Sequence, residues 1–146
     1  MTLLFRPALP SDAPLLYRLL REALGPYVSM LWGWDEAFQQ ARWARVFDPA
    51  RWQVISNGGV EVGGLELEHR PHELYVANLL IFPEHQGCGI GTAVMQRLMA
   101  ATHAEGKPVR LQALKVNPAR ALYARLGFME LADTETHHVM LAPPPD

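Results

Sequence analysis

The chain has 146 residues, 49% hydrophobic and 19% charged, with a formal net charge of −2. That length suffices for one domain with its own core, and so weak a charge gives no sign of a nucleic-acid or membrane surface. No apolar run approaches the ~20 residues of a membrane span, the opening MTLLFRPALPSD lacks the apolar core of a signal peptide, and a single cysteine, Cys88, fits a reducing cytoplasm.

Leu3-Leu4-Phe5 is a short stretch of strand type. Ser11-Asp12-Ala13-Pro14 predicts a helix start, with a capping side chain and an early proline. Leu15, Leu16, Leu19, Leu20 and Leu24 form the apolar stripe of that helix, and Gly25-Pro26 is expected to end it. The aromatic-rich YVSMLWGWDEAF follows, and Asp35 and Glu36 are expected to open a second helix running to about Phe47. From Trp52 the apolar period changes to two, with a hairpin turn at Asn57-Gly58-Gly59. Val60 and Val62 fall on even positions but Leu65 and Leu67 on odd ones, so a bulge or bend is expected at Gly63-Gly64. After a turn at Arg70-Pro71-His72, residues 74–82 are nearly all apolar, which predicts a strand buried on both faces.

Next comes HQGCGIGTAVMQRL, and then Ile90, Val94, Leu98 and Ala101 at helical spacing, closed by Gly106 and Pro108. Residues 109–114 read as a strand, Asn117-Pro118 starts a short helix that Gly127 ends, and residues 128–131 and 138–141 read as two last strands. The predicted order is β-α-α-β-β-β-α-β-α-β-β, a single mixed α/β domain over residues 1–146. No CxxC or HExxH occurs, and the adjacent His137 and His138 would point to opposite faces of a strand, so no metal is expected.

Gly87, Gly89 and Gly91 lie between a strand and a helix. The first amides of a helix lack internal partners, and the helix dipole adds about half a positive charge there. Glycines let several such N–H groups converge on an anion. A dinucleotide fingerprint does not fit, because counting from Gly87 the sixth position is Thr92; no G-x-x-x-x-G-K-[ST] occurs either. The observed run is Gln86-Gly87-Cys88-Gly89-Ile90-Gly91, of the form Q/R-x-x-G-x-G/A.

With that hexamer in its context, LLIFPEHQGCGIGTAVMQRLM, the chain resembles the GNAT superfamily of acyl-CoA-dependent N-acetyltransferases. NPARALYARLGFMEL is similar to the family's segment after the fifth strand, and FRPALPSDAPLLYRLL to its first strand and helix. The resemblance implies an α/β fold of the α+β type, with a mixed, mostly antiparallel sheet of six to seven strands and about four helices. In such proteins the fourth and fifth strands splay, and the acyl-pantetheine arm enters the gap. Main-chain groups of Leu79, Leu80 and Ile81 would then hold the acetyl carbonyl and pantetheine amides. The amides of Gln86, Gly87, Cys88, Gly89, Ile90, Gly91 and Thr92 would bind the pyrophosphate of acetyl-CoA. Asn117 would contact the pantetheine arm, Arg120 and Arg125 the phosphates, and Tyr123 would act as general acid at the sulfur. Many relatives carry Lys or Arg at the position of Cys88, so one phosphate-pairing charge is missing here.

The chemistry implied is direct attack of an amine on a thioester. A lysine-like amine, with pKa near 10.4, is only roughly 1 in 2,500 neutral at pH 7. A base is therefore wanted, and Glu73, Asn78 and the acids of Trp32-Gly33-Trp34-Asp35-Glu36 are the candidates. Trp32, Trp34, Asp35 and Glu36 would also suit a cationic acceptor, by cation–π contact and by charge. Each has a plainer reading: the tryptophans staple a helix that the acids cap, Asn117 only caps, and Tyr123 belongs to the core. The resemblance implies a small-molecule or peptide amine as acceptor, and the frequent dimerisation of relatives leaves a homodimer open. A non-catalytic acyl-CoA sensor and a small interaction domain that has lost the cofactor are the alternatives.

Overall fold

The computed structural model describes residues 1–146. Its elements are β1 (Leu3–Pro7), α1 (Ala13–Leu31), α2 (Glu36–Val46), β2 (Trp52–Asn57), β3 (Val60–His69), β4 (Leu74–Ile81), α3 (Ile90–Ala104), β5 (Val109–Leu114), α4 (Ala119–Arg125), β6 (Met129–Asp133) and β7 (His137–Ala142). This is the predicted order. The strands form one seven-stranded sheet in the order β1-β2-β3-β4-β5-β7-β6. β1 and β2 pair antiparallel, as do β2 and β3, β5 and β7, and β6 and β7. β4 and β5 are parallel, and their register is confined to Leu74↔Val109, Tyr75↔Arg110 and Val76↔Leu111. No helix is long and apolar enough to cross a membrane.

The chain divides into two compact units, Met1–Glu66 with Asn78–Cys88, and Leu67–Ala77 with Gly89–Asp146. In the first, the leucine stripe of α1 packs with the aromatic residues of α2 and β2. Leu16, Tyr17, Leu19, Trp43, Trp52, Val54, Leu80 and Phe82 are buried together, and Leu15, Leu20, Leu24, Trp34 and Phe47 lie against them. Trp43 stacks on Phe47, meets Trp52 edge-on, and donates from its indole nitrogen to Ala13 O at 3.0 Å. The second unit buries Leu67, Leu74, Val76, Ile90, Val94, Met95, Val109, Leu111, Phe128 and Met140. There α3 lies against β5.

Two expectations need correction. Gly25-Pro26 does not end α1, which runs on to Leu31 with Pro26 inside it. A proline forfeits its own backbone bond but leaves those of later residues intact. Trp32 still donates to Val28 O at 2.8 Å and Gly33 to Ser29 O at 3.1 Å. The stop is Gly33, whose φ of 79° reverses the chain in the left-handed region that glycine tolerates best. The expected irregularity in β3 lies one residue earlier than Gly63-Gly64. Ile55 pairs with Gly63 and Ser56 with Glu61, so Val62 is the extra residue. β4 buries Leu74, Val76 and Leu80 fully, while Tyr75, Ala77, Leu79 and Ile81 are half-buried.

Candidate functional site

The end of β4 is shaped by the absence of a side chain on β3. A Cβ on Gly63 would stand 2.3 Å from Leu80 O and 2.9 Å from Ile81 Cδ1, well inside contact distance. Only glycine lets β3 lie this close to the Leu80 carbonyl. On the α1 side, a Cβ on Gly64 would meet Leu16 and Leu19 at 2.8 and 2.9 Å. β4 then hands over to a short 3-10 turn at Pro83–His85. Phe82 donates to Val62 O at 2.9 Å and the side chain of Gln86 to Ile81 O at 2.9 Å, so Gln86 ties the following loop to the end of β4. Gly87 has a φ of 77°, and the exposed Cys88 thiol donates to His85 O at 2.9 Å.

In the second unit Gly89, with a φ of 87°, opens α3. The first amide to make a helical bond is that of Ala93, to Gly89 O at 3.0 Å, so those of Ile90, Gly91 and Thr92 stand ahead of the ladder. Ile90 is buried and fixes this first turn. A Cβ added at Gly87 or Gly91 would meet nothing within 4 Å. The glycines are therefore not demanded by packing within the chain. Within the second unit, the positive φ of Gly89, the orphan amides and the open space beside Gly91 are features that suit an anion in general.

Residues 48–130 match the family model for the GNAT acetyltransferase domain, which covers more than half of the chain. The chain belongs to the GNAT acetyltransferase family. Among solved structures, the PaiA N-acetyltransferase of Thermoplasma acidophilum, in complex with coenzyme A, aligns over 98% of this chain and 99% of its own, with a TM-score of 0.78 at 14% identity. An acetyltransferase from Thermus thermophilus aligns over 98% and 97%, with a TM-score of 0.75 at 26% identity. The ribosomal-protein-alanine N-acetyltransferase of Escherichia coli aligns over 99% and 96%, with a TM-score of 0.72 at 18% identity.

The other residues singled out in this GNAT chain fall into separate groups. Asn117 accepts from Ala119 N at 3.0 Å through its Oδ1 and so caps α4. Tyr123, on α4, packs on Phe128 with ring centres 5.7 Å apart. Burial pushes its phenol pKa up, which keeps the proton on the oxygen. Arg120 pairs with Glu130 at 3.2 Å and Arg125 is exposed. Glu73 precedes β4 and is gripped by Arg70 at 2.6 Å and Arg110 at 2.9 Å. Burial pushes its carboxyl pKa up, but the hydrogen bonds from Arg110 and Arg70 outweigh this and the net shift is downward.

Within the α1–α2 connection the two acids divide their tasks. Asp35 is the cap, accepting from Phe38 N at 3.0 Å. Glu36 accepts from the Trp34 indole at 2.6 Å, the Tyr17 hydroxyl at 2.9 Å, Arg21 at 3.0 Å and Gln40 at 3.3 Å. The Trp34 hydrogen bond is the leading cause that holds its pKa at about 2. Trp34 is fixed by this hub, while Trp32 stays 60% exposed.

One polar group of this region, Glu66, is not legible in the sequence. Asn78 donates through Nδ2 to Glu66 Oε1 at 2.8 Å, and Arg51 lies 3.4 Å from the other carboxylate oxygen. Glu66 reads in the sequence as the solvent face of a period-two strand; only the sheet register sets it beside Asn78.

Proposed function

We propose that this protein is an N-acetyltransferase that moves the acetyl group of acetyl-CoA to a primary amine of a small molecule or peptide. The observation that carries the reading is the cradle of residues 86–92, with its positive-φ glycines, orphan helix amides and space beside Gly91 that no atom of the chain fills. Those amides bind the pyrophosphate. Main-chain groups of Leu79, Leu80 and Ile81 bind the acyl end, held in place by the close approach of Gly63. Asn117 caps through its Oδ1 and keeps the N–H donors of its side-chain amide for the pantetheine arm, and Arg120 serves the phosphates. β3 and β4 each contribute residues to both compact units, which supports reading residues 1–146 as one domain. The lone cysteine fits a cytoplasmic protein.

Acetyl-CoA supplies an activated thioester. The chain supplies orientation, a donor for the carbonyl oxygen from the β4 backbone, and a proton for the departing sulfur from Tyr123. A half-buried phenol whose pKa is raised by desolvation stays protonated until a thiolate forms, which suits the acid role. Trp32 and Trp34 line the acceptor side, with Asp35 capping α2 and Glu36 fixing Trp34. Glu73, held by two arginines, pins the start of β4. The reading is tested by thermal unfolding with excess acetyl-CoA, against NAD and ATP as controls, followed by acetyl transfer to a panel of amines. At 100 times its Kd a ligand adds about 2.7 kcal/mol, and only acetyl-CoA should do so. Tyr123→Phe should slow transfer while keeping that stabilisation. A protein stabilised equally by all three ligands, or by none, refutes the reading.

A further inference from the structure

We propose that Glu66 is the general base of the transfer and that Asn78 and Arg51 are its positioning residues; this rests on the acetyltransferase reading above. Glu66 sits on β3 opposite Trp52 of β2, and its side chain is only 19% exposed. It shares the α1-facing side of the sheet with Gly64, two residues before it, whose missing Cβ would touch Leu16, Leu19 and Trp52. On β4, Asn78 lies on that same side, two residues before the buried Leu80. It is also the residue directly before Leu79, where the main chain is proposed to hold the acetyl end.

The hydrogen-bond inventory points to a cation as the missing partner. A carboxylate only accepts, so the Asn78 amide must turn its nitrogen toward Glu66. That leaves Asn78 Oδ1 with no donor from the chain. Arg51 reaches Oε2 only at 3.4 Å, and Glu66 keeps lone pairs to spare. Asn78 Oδ1 and the Glu66 carboxylate are neighbouring oxygens that only accept, and they suit a primary amine in its ammonium form, which brings three donors. Asn78 Oδ1 takes one N–H and orients the nitrogen. The ammonium first gives one proton to the Glu66 carboxylate, which passes it to water; the lone pair so freed forms the N–C bond to the acetyl carbon, and the second proton of the now acidic nitrogen passes to Glu66. The electron pair of the broken C–S bond stays on sulfur, which takes the Tyr123 proton. Glu66 then releases its proton to water and Tyr123 regains one.

The decisive variant is Glu66→Gln, because glutamine keeps the shape and can still accept from Asn78 while losing the basic oxygen. Transfer is followed by release of the CoA thiol with a panel of polyamines, amino-acid amides and short peptides with free N-termini. General bases contribute about 10²–10⁴-fold, so kcat should fall by at least about 100-fold. Acetyl-CoA-induced stabilisation should be unchanged. In the ¹⁵N-labelled protein without acetyl-CoA, an accepted amine should shift the Asn78 side-chain amide resonances of the wild type. Glu66→Asp, which keeps the charge but withdraws it by one methylene, should lose at least about tenfold, and it decides the matter if the glutamine variant does not fold. Full turnover by either variant overturns the assignment of Glu66 while leaving the transferase reading intact. A wild type that binds acetyl-CoA but acetylates none of the panel overturns both.

Discussion

Gly91→Ala separates the needs of the fold from those of the ligand, because the two predict opposite signs. Gly91 lies in the first turn of α3 and is not among the glycines with positive φ. An added Cβ would meet no atom of the chain within 4 Å. For the protein alone, alanine in a helix is worth roughly 0.5–1 kcal/mol over glycine. At ~2–4 °C per kcal/mol for a chain of this size, the variant should melt about 1–4 °C higher. For the complex, the new methyl group occupies the hollow next to the orphan amides. A tenfold loss of affinity removes about 1.4 kcal/mol of the ~2.7 kcal/mol that acetyl-CoA supplies at 100 times the wild-type Kd. Thermal unfolding of both proteins, each with and without acetyl-CoA, gives the four numbers required. A variant that is more stable alone and less stabilised by acetyl-CoA supports the cradle. A ligand-induced shift of full size refutes the use of that space. A variant less stable by itself refutes the claim that the space is open.

Two further substitutions probe the frame. Gly63→Ala drives a methyl group to 2.3 Å from Leu80 O, so β3 or β4 must move. Overpacking of this kind costs about 1–3 kcal/mol; the melting temperature should fall and acetyl-CoA stabilisation should weaken with it, and an unchanged melting temperature contradicts the close approach. Asp12 receives two bonds from Arg6, at 2.8 and 2.9 Å, and one from Leu9 N at 2.7 Å. The Arg6 bonds foremost hold its pKa at about 2. A carboxyl depressed in the folded state contributes fully above its unfolded pKa of about 3.9 and loses that contribution as pH falls toward about 2. This amounts to roughly 2–3 kcal/mol at ~1.4 per pH unit. Urea unfolding measured from about pH 5 down to about pH 2 should show a stability decline that Asp12→Asn makes shallower, and an equal slope in both proteins contradicts the pairing.

The sequence carries its local signals well and its non-local ones poorly. β5 falls where the apolar run at 109–114 put it, and α2 follows the Asp35 cap, because strand period and cap chemistry are properties of neighbouring residues. Gly25-Pro26 misleads because proline removes one hydrogen bond, whereas a helix ends only where the whole ladder stops, here at Gly33. The polar groups are harder still. Glu36 looks like a helix-start acid, yet Asp35 does the capping, and Glu36 reaches back to Tyr17, 19 positions earlier. Glu66 becomes visible only once β3 lies beside β4, and no periodicity in β3 announces which strand that is.

That difference bears on where an incoming charge would settle. Glu36 already accepts from four donors, and these, the Trp34 indole foremost, hold its pKa down at about 2. A further cation there would have to displace one of them. Glu66 has one short hydrogen bond and one long ion pair, and its Asn78 partner has an acceptor to spare. An ammonium group gains most where lone pairs are unused and water is partly excluded, since unmet acceptors in a half-buried site are the ones that lose most without a donor. By that measure the proposed amine settles at the Glu66–Asn78 pair rather than at Glu36.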